Sequence, residues 1–361
     1  MKRKARIRLA MVCGLVILVS LTLVGTTAYA KTYRLSMGAG HPTAAIWAGM
    51  VKDWFGEEVK KRVAAKTGDT IEWTYAFGGS VAKLGGVIDA VRDGLLDVGE
   101  IQYCFTPTKL FLHNFSFATP FDSPDIFQIA QAALATHAKI KYLTEVFEKE
   151  YNQVYLGCLV INSYHLITTF PWKSMDDLKG KKIAAAGPNL PWIKGTGTVP
   201  VQSTLNEAYT SLQTGVYDGW VMFADGVTSF KLQDVAKYYT LVNFGAVTNG
   251  CITINLDTWK RLPKEIQTIM KEVGLEYTMA LAKASAEKEK KAFEIMKEAG
   301  VTIQTLSDEE RIKWVNMLPN NPNKIAQEAN QKGMPGTETF RTWLEEQKKA
   351  GFVAPRVWQI D

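Results

Sequence analysis

The side chains best suited to chemistry in this 361-residue chain are its four histidines and four cysteines. His41, His113, His137 and His165 stand at no spacing typical of metal ligands, and none pairs with a cysteine. The sequence has no Walker loop, no GxGxxG opening a helix and no GxSxG elbow. Its carboxylates are scattered rather than paired. These patterns predict a protein that is not an enzyme and that binds neither a metal nor a cofactor.

One catalytic arrangement remains conceivable from the residue types. His41 or His165 beside Cys104 would place a base next to a nucleophile across a cleft. The protein would then be an exported α/β enzyme, which is the alternative interpretation from a different functional class.

Aromatic and amide residues follow several of the predicted strands. In open α/β sheets, ligands bind outside the carboxyl ends of strands. A cleft with such a lining suits a small solute held by stacking and a few hydrogen bonds. Ordinary core packing stays open for each aromatic residue, since single aromatics are more often core residues than ligand contacts. The candidates are His41, Gln102, Tyr103, Tyr164, Trp192, Trp220, Met222 and Phe223.

Strand and helix patterns alternate three times in the first part of the chain. This alternation predicts a mostly parallel sheet covered by helices. A second alternating set begins at residue 153, which indicates a second α/β lobe. The predicted elements of the first set are strands at 32–37, 70–77 and 97–104 and helices at 47–65 and 87–92.

A long helix is predicted from Pro263 to Gly300, with Gly274 as the one breaker inside it. Proline is favoured in the first helical turn. At ~1.5 Å per residue this helix is longer than one small lobe needs, so we expect it to brace both lobes. The predicted division is lobe I from residues 31–161 with about 248–290, and lobe II from 162–247 with about 291–361, including the C-terminal helices.

Residues 1–30 have the three parts of a secretory signal peptide. Five basic residues precede an apolar run at 9–24, and Ala28-Tyr29-Ala30 forms a small-x-small exit. The apolar run is shorter than the ~20 residues of a membrane span. We expect cleavage after Ala30 and export to the periplasm, with an uncleaved N-terminal anchor as the alternative.

Most of the positive charge belongs to that leader. The chain has 42 basic and 36 acidic residues, and without the five basic residues of the leader the numbers are 37 and 36. A net charge near +1 argues against nucleic acid as a partner. The mature cysteines, Cys104, Cys158 and Cys251, lie in apolar contexts and are expected to be buried thiols, a Cys158–Cys251 disulfide being the alternative.

The mature chain resembles the DctP-type periplasmic receptors of TRAP transporters through nearly all of its length. Several short stretches carry this resemblance, and their order and spacing are specific only when taken together. They are Lys66-Thr67-Gly68 with Gly78-Gly79, DAVRDGLLD at 89–97, Pro120-Phe121, DLKGKKI at 177–183, residues 200–209, LQTGVYDG at 212–219, and Trp259 with Leu262-Pro263.

The resemblance implies a two-lobed periplasmic-binding-protein fold of the type II-like class, with a ligand cleft that closes on binding. It also implies delivery of the solute to the membrane subunits of a TRAP permease, driven by an ion gradient rather than ATP. Solutes in this family are usually small organic acids. A receptor read by a membrane sensor kinase needs the same hinged cleft, so that alternative stays open.

The chain departs from the family where the family places an arginine that binds the solute's carboxylate. That position is Ala184 here, and a second position, arginine in the sialic-acid members, is Tyr164. An asparagine of those members falls on Met222. A bidentate arginine–carboxylate pair is strong, and alanine cannot replace it. Either another cation supplies the charge, with Lys194 as the candidate, or the solute is not held by a carboxylate in the usual way.

These substitutions predict a pocket that prefers an apolar or aromatic solute to a C4-dicarboxylate. Tyr164 would donate one hydrogen bond where the missing arginines would have donated several. Three further positions complete the predicted binding set: Ala184, Leu205 and Asn255.

Overall fold

The structure is a computed structural model that describes residues 30–361, so the predicted signal peptide lies outside the described residues except for Ala30. The strands are β1 (Thr32–Ala39), β2 (Thr70–Ala76), β3 (Val98–Gln102), β4 (Gln153–Ile161), β5 (His165–Thr168), β6 (Lys182–Ala185), β7 (Val199–Gln202), β8 (Gly219–Met222), β9 (Tyr238–Leu241), β10 (Val247–Asn255) and β11 (Thr302–Thr305).

The helices cover the faces and ends of these strands. They are α1 (Ile46–Met50), α2 (Glu57–Thr67), α3 (Val87–Arg92), α4 (Phe115–Ala118), α5 (Ile126–Lys139), α6 (Tyr142–Tyr151), α7 (Leu190–Ile193), α8 (Leu205–Gln213), α9 (Ala224–Ser229), α10 (Leu256–Arg261), α11 (Lys264–Glu298), α12 (Asp308–Met317), α13 (Asn321–Gln331) and α14 (Gly336–Lys349). A π-helical turn, Val51–Gly56, joins α1 to α2.

Two sheets form the centres of two lobes. The sheet of lobe I has the order β2-β1-β3-β10-β4, and the sheet of lobe II has the order β11-β9-β5-β8-β6-β7. The predicted two-lobed α/β class is confirmed, and each sheet is mostly parallel with one antiparallel strand, β10 in lobe I and β5 in lobe II. β10 lies antiparallel between β3 and β4 because the chain re-enters lobe I from the opposite side after crossing from lobe II.

Short extended segments join the lobes. The chain leaves lobe I after β4 and returns through residues 242–246 ahead of β10. The two crossings lie side by side, since Phe244 N donates to Tyr164 O at 3.0 Å and Tyr164 N donates to Gly245 O at 3.1 Å. Paired backbone of this kind lets the lobes move about a hinge while their ends stay in register.

The long helix α11 packs against both lobes, as predicted. It lies on β4 and α5 of lobe I and on α9 of lobe II. Two glycines make its approach to the sheet possible: a Cβ added to Gly157 of β4 would lie 1.9 Å from the carbonyl oxygen of Gly274. Gly274 therefore interrupts the helical sequence pattern because the helix backbone touches the strand there.

The C-terminal segment corrects the predicted lobe division. β11 joins the sheet of lobe II, and α12 stays there, with Glu310 accepting a hydrogen bond from Met175 N at 2.8 Å. The chain then returns, because α13 packs on α4 and α14 packs on α5, both in lobe I. A buried hydrogen bond of 2.8 Å from Trp343 Nε1 to Asp122 Oδ2 fixes α14 in place.

Cys104, Cys158 and Cys251, the cysteines within residues 30–361, are free thiols in this structure. Cys158 and Cys251 lie opposite each other on β4 and β10 and are fully buried, whereas Cys104 is half-buried. The expectation of buried thiols agrees with these positions for the cross-strand pair.

Candidate functional site

An inner cavity of about 50 Å³ lies between the two lobes. Because one water needs roughly 10–15 Å³, the cavity has room for about three to five waters. A solute with an aromatic ring therefore needs the lobes to lie farther apart than they do in this structure, through movement about the hinge. Aromatic rings dominate its lining, with Trp47, Phe105 and Phe117 from lobe I, Trp220 and Phe223 from lobe II, and Tyr164 from the crossing between them.

Strand ends bring these residues together. His41 follows β1, Gln102 ends β3, Ile161 ends β4 and Phe223 follows β8, and all of them line the cavity. The carboxyl ends of parallel strands meet at one edge of a sheet, which here faces the other lobe.

In β10 the amino end of the strand, not its carboxyl end, faces the cavity. This difference explains why sequence reasoning missed one lining residue. Because β10 runs antiparallel to β3, its first residues face the cleft, and Asn249 lines the cavity. The predicted Asn255 ends the same strand at the opposite edge. Its amide there caps α10 by accepting from Asp257 N at 3.0 Å and Thr258 N at 2.9 Å. The direction of β10, which the sequence does not reveal, decides between the two asparagines.

Seven predicted residues line the inner cavity, and four do not. Tyr103 lies in the core of lobe I, where its ring is 5.1 Å from that of His113. Ala184 is fully buried in β6 beneath the cavity, between Trp220 and Val201 of the neighbouring strands, while Ala186 is the residue that reaches the cavity. The seven are His41, Gln102, Tyr164, Leu205, Trp220, Met222 and Phe223.

Trp192, the fourth, closes the gap between the lobes instead of touching the inner cavity. Its Nε1 donates to the carbonyl oxygen of Phe117 in lobe I at 2.7 Å, and its ring meets the edge of Tyr164 at 5.3 Å. The ring is 1% exposed. Trp192 therefore forms a hydrogen bond from lobe II to lobe I at the border of the cavity.

His41 is neutral. Burial lowers its pKa to about 4, and Trp47 Nε1 donates to its Nδ1 at 3.2 Å. A nitrogen that accepts a hydrogen bond carries no proton, so the proton of the neutral ring resides on Nε2. His41 thus offers one N–H donor and no charge.

A hydrogen-bonded chain runs from a buried carboxylate to the cavity. Gln102 Nε2 donates to Glu100 Oε1, and Asn249 Nδ2 donates to Gln102 Oε1 at 2.5 Å. Glu100 is 1% exposed, and burial raises its pKa to about 7. Asn249 Oδ1 and, on the lobe II wall, Asn189 Nδ2 are buried without a hydrogen-bond partner among the described residues. Unpaired polar atoms on a cavity wall are natural contacts for a polar solute.

Within residues 30–361, no lysine or arginine lines the inner cavity. Lys194, the predicted replacement for the missing arginine, is exposed and lines neither this cavity nor the cleft beside it. That part of the prediction is wrong, because the loop after α7 turns its lysine to solvent.

A larger outer cleft of about 890 Å³ adjoins the cavity. It is bounded by Trp192 and Phe117 and extends towards α13, where Lys324 and Glu328 line it. The cleft and the cavity share lining residues, so the cleft is the path from solvent to the enclosed site.

The alternative of a cysteine nucleophile finds no support in the geometry. Cys104 and His41 both line the cavity, but burial raises the pKa of Cys104 to about 12. An activated thiol has a lowered pKa. His165 Nδ1 accepts from Asn243 N at 3.1 Å in the hinge, and its pKa is lowered to about 3 by burial.

Comparison with known proteins agrees with this two-lobed site. Residues 50–328 match the family model DctP, bacterial extracellular solute-binding protein, family 7. The chain belongs to this family. Among the described residues of this family member, no helix is both long and apolar enough to cross a membrane.

Individual relatives of this DctP-family protein are distant. It is 32% identical over 123 residues to the C4-dicarboxylate-binding periplasmic protein DctP of Rhodobacter capsulatus, a match that covers 34% of this chain and 37% of that protein. The chain thus spans little more than a third of that relative's length in the match.

Solved structures share the fold over almost the whole chain. A TRAP periplasmic solute-binding protein from Desulfovibrio salexigens, in an open complex, has a TM-score of 0.77 at 20% identity and covers 88% of this chain and 96% of its own. A marine metagenome TRAP solute-binding protein specific for aromatic acids, in complex with 3-hydroxybenzoate, has a TM-score of 0.74 at 19% identity and covers 90% and 100%.

Proposed function

We propose that this protein is a periplasmic solute receptor, which encloses a small aromatic or apolar molecule between its lobes and delivers it to the membrane subunits of a TRAP permease. The leader at residues 1–30 would direct its export, and cleavage after Ala30 would release the mature receptor. Membership of the DctP family and the hinged cleft support the role of receptor.

The observation that carries the solute class is the composition of the inner cavity. Six aromatic rings line it, and no lysine or arginine among the described residues reaches it. Rings such as Trp220 and Phe223 provide large contact areas for a flat solute. A dicarboxylate placed there would lose its hydration without an opposing charge, which is costly.

Neutral donors can replace the missing guanidinium for a solute with one polar group. His41 and Asn189 both line the cavity, so the Nε2–H group of His41 and the amide of Asn189 are the candidate donors. The likeness to the aromatic-acid-specific protein supports a ring-shaped solute, although it extends to the fold alone at 19% identity.

Isothermal titration calorimetry of the mature chain, residues 31–361, tests this proposal. Aromatic acids, aromatic amides, pyroglutamate, succinate and malate would be titrated at equal concentrations. We expect binding of aromatic solutes and at least tenfold weaker binding of the dicarboxylates. Tight binding of succinate or malate without any aromatic binding would contradict the proposed solute class and leave the receptor role standing.

A further inference from the structure

We infer that Asn249 selects solutes that present a hydrogen-bond donor, an O–H or N–H group, to the lobe I side of the inner cavity. The inference rests on the proposed function and adds that the solute carries a hydrogen-bond donor at one of its ends.

The orientation of the Asn249 amide follows from Glu100. A carboxylate only accepts hydrogen bonds, so the NH₂ group of Gln102 must face Glu100. The oxygen of Gln102 then faces Asn249 and accepts from its Nδ2 at 2.5 Å. This orientation leaves the oxygen of Asn249, a residue that lines the cavity, buried and without a hydrogen-bond partner among residues 30–361.

The groups around Glu100 are compatible with its role as a hydrogen-bond acceptor. The titratable groups near enough to interact with it are Cys104, Cys251 and Tyr277, and none of them is cationic. Burial raises the pKa of Glu100 to about 7, so at pH 8 the group is mostly ionised and accepts from Gln102. Gln102 and Glu100 act as positioning residues for Asn249.

The opposite wall can supply the complementary polarity. Asn189, just ahead of α7 in lobe II, lines the cavity, and its side-chain amide has no hydrogen-bond partner among residues 30–361, so the amide can turn its NH₂ group towards a solute. A solute that satisfies both walls carries a donor towards Asn249 and an oxygen acceptor towards Asn189. An aromatic ring with a hydroxyl group at one end and a carbonyl or carboxyl oxygen at the other has this pattern.

Matched pairs of solutes that differ only in the donor test the inference at pH 8. Suitable pairs are 3-hydroxybenzoate with 3-fluorobenzoate, 3-hydroxybenzamide with 3-fluorobenzamide, and pyroglutamate with the lactone in which a ring oxygen replaces its N–H. We expect the donor member of each pair that binds to have a Kd about tenfold lower, because its partner leaves Asn249 Oδ1 buried and unpaired.

Two matched substitutions distinguish a specific role of Asn249 in recognising the donor from a general effect on binding in the cavity. Asn249→Leu should bring the ratio of Kd values within each pair close to one. Asn189→Leu removes an amide from the opposite wall, so it should weaken both members of a pair and leave their ratio unchanged. Circular dichroism establishes that each variant is folded.

Glu100→Gln provides a second measurement if Asn249→Leu does not fold. The amide introduced by Glu100→Gln can donate as well as accept, so it no longer fixes which way the amides of Gln102 and Asn249 point. The ratio of Kd values within each pair should therefore fall. A merely structural role of Glu100 would change both affinities and preserve the ratio.

The outcomes distinguish the inference from the proposed function. If fluorinated and hydroxylated members bind equally to the wild-type protein, the inference is overturned while the aromatic solute class survives. If neither member of any pair binds, the proposed solute class is wrong and the inference falls with it.

Discussion

The inner cavity and the outer cleft adjoin each other but differ in size, enclosure and charge. The cleft is the larger, at about 890 Å³ against about 50 Å³, and charged residues such as Lys324 and Glu328 line it. The cavity is lined by six aromatic rings, Trp220 among them, whereas the buried Trp192 lies at the border of the cleft. They share Cys104, Phe105, Phe117, Ser203 and Thr204.

We expect a solute to bind in the cavity between the lobes rather than in the cleft, although the cleft has the larger volume. A solute in the cavity is desolvated on both sides by opposite lobes, so it can stabilise the closed arrangement of the lobes. A solute in the open cleft would contact exposed side chains such as Lys324 and retain much of its water. The following predictions test whether binding energy resides in the cavity.

Removing the largest ring of the cavity should have the largest effect. Trp220→Ala should weaken binding of an aromatic solute at least about thirtyfold, since buried tryptophans at the centre of an interface contribute 2 kcal/mol or more. Calorimetric titration measures this change. Trp259→Ala, on α10 away from the cavity, is the matched control and should leave Kd unchanged. Equal losses in both variants would contradict a local role for Trp220.

Titration of Glu100 should make the stability of the fold depend on pH. Its pKa is raised from 4.5 to about 7, so between these values the folded state holds a proton that the unfolded state has lost. Stability therefore falls as pH rises, by up to about 1.4 kcal/mol per pH unit.

Glu100→Gln should remove this contribution, so its advantage over the wild type in free energy of unfolding should grow from pH 5 to pH 7. Urea denaturation at both values, with Glu328→Gln as the control from the outer cleft, measures the difference. Parallel pH profiles for wild type and Glu100→Gln would show that the buried carboxyl is not protonated as described.

The hydrogen bond between the lobes should affect how long a solute stays bound. Trp192→Phe keeps the ring but removes the N–H that donates to Phe117 O. Loss of about 1 kcal/mol would raise the dissociation rate about fivefold, measurable by stopped-flow displacement.

Trp73→Phe is the matched control for that variant. Its Nε1 donates to Gly56 O at 2.9 Å within lobe I, so its removal should not change the dissociation rate. Unchanged release in Trp192→Phe as well would mean that this bond does not hold the lobes together.

A substitution in the outer cleft should have the smallest effect. Lys324→Ala removes an exposed charge, which salt screens over about 8 Å at physiological ionic strength. The Kd of an aromatic solute should change by less than about twofold at 0.15 M salt. A rise of tenfold or more in Kd would mean that the solute binds in the cleft and not in the cavity.

Local patterns predicted the fold well because each depends on neighbouring residues. The alternation of strands and helices predicted two α/β lobes, and the long helical pattern after Pro263 predicted α11. The lobe assignment of the tail failed because α13 and α14 return to lobe I through contacts distant in sequence, such as that of Trp343 with Asp122.

For the site, the rule of strand ends led to His41, Gln102 and Phe223, and their role in binding stays a prediction. The rule failed for Asn255 because it assumes that the strand is parallel to its neighbours. Tyr103 was misplaced because β3 ends at Gln102 and Tyr103 begins a 3-10 turn, from which its ring packs into the core of lobe I.

The sequence by itself determined the family and the two α/β lobes, since these depend on residue identity and local spacing; the absence of a carboxylate-binding arginine at Ala184 stays a prediction. Only the tertiary structure decided that β10 runs antiparallel, that Trp192 bonds across the lobes, and that Glu100, Gln102 and Asn249 are joined by hydrogen bonds. Strand direction and side-chain partners depend on contacts between residues far apart in the chain. Glu100 and Asn249 are separated by more than a hundred residues, and only folding brings them into one hydrogen-bonded chain.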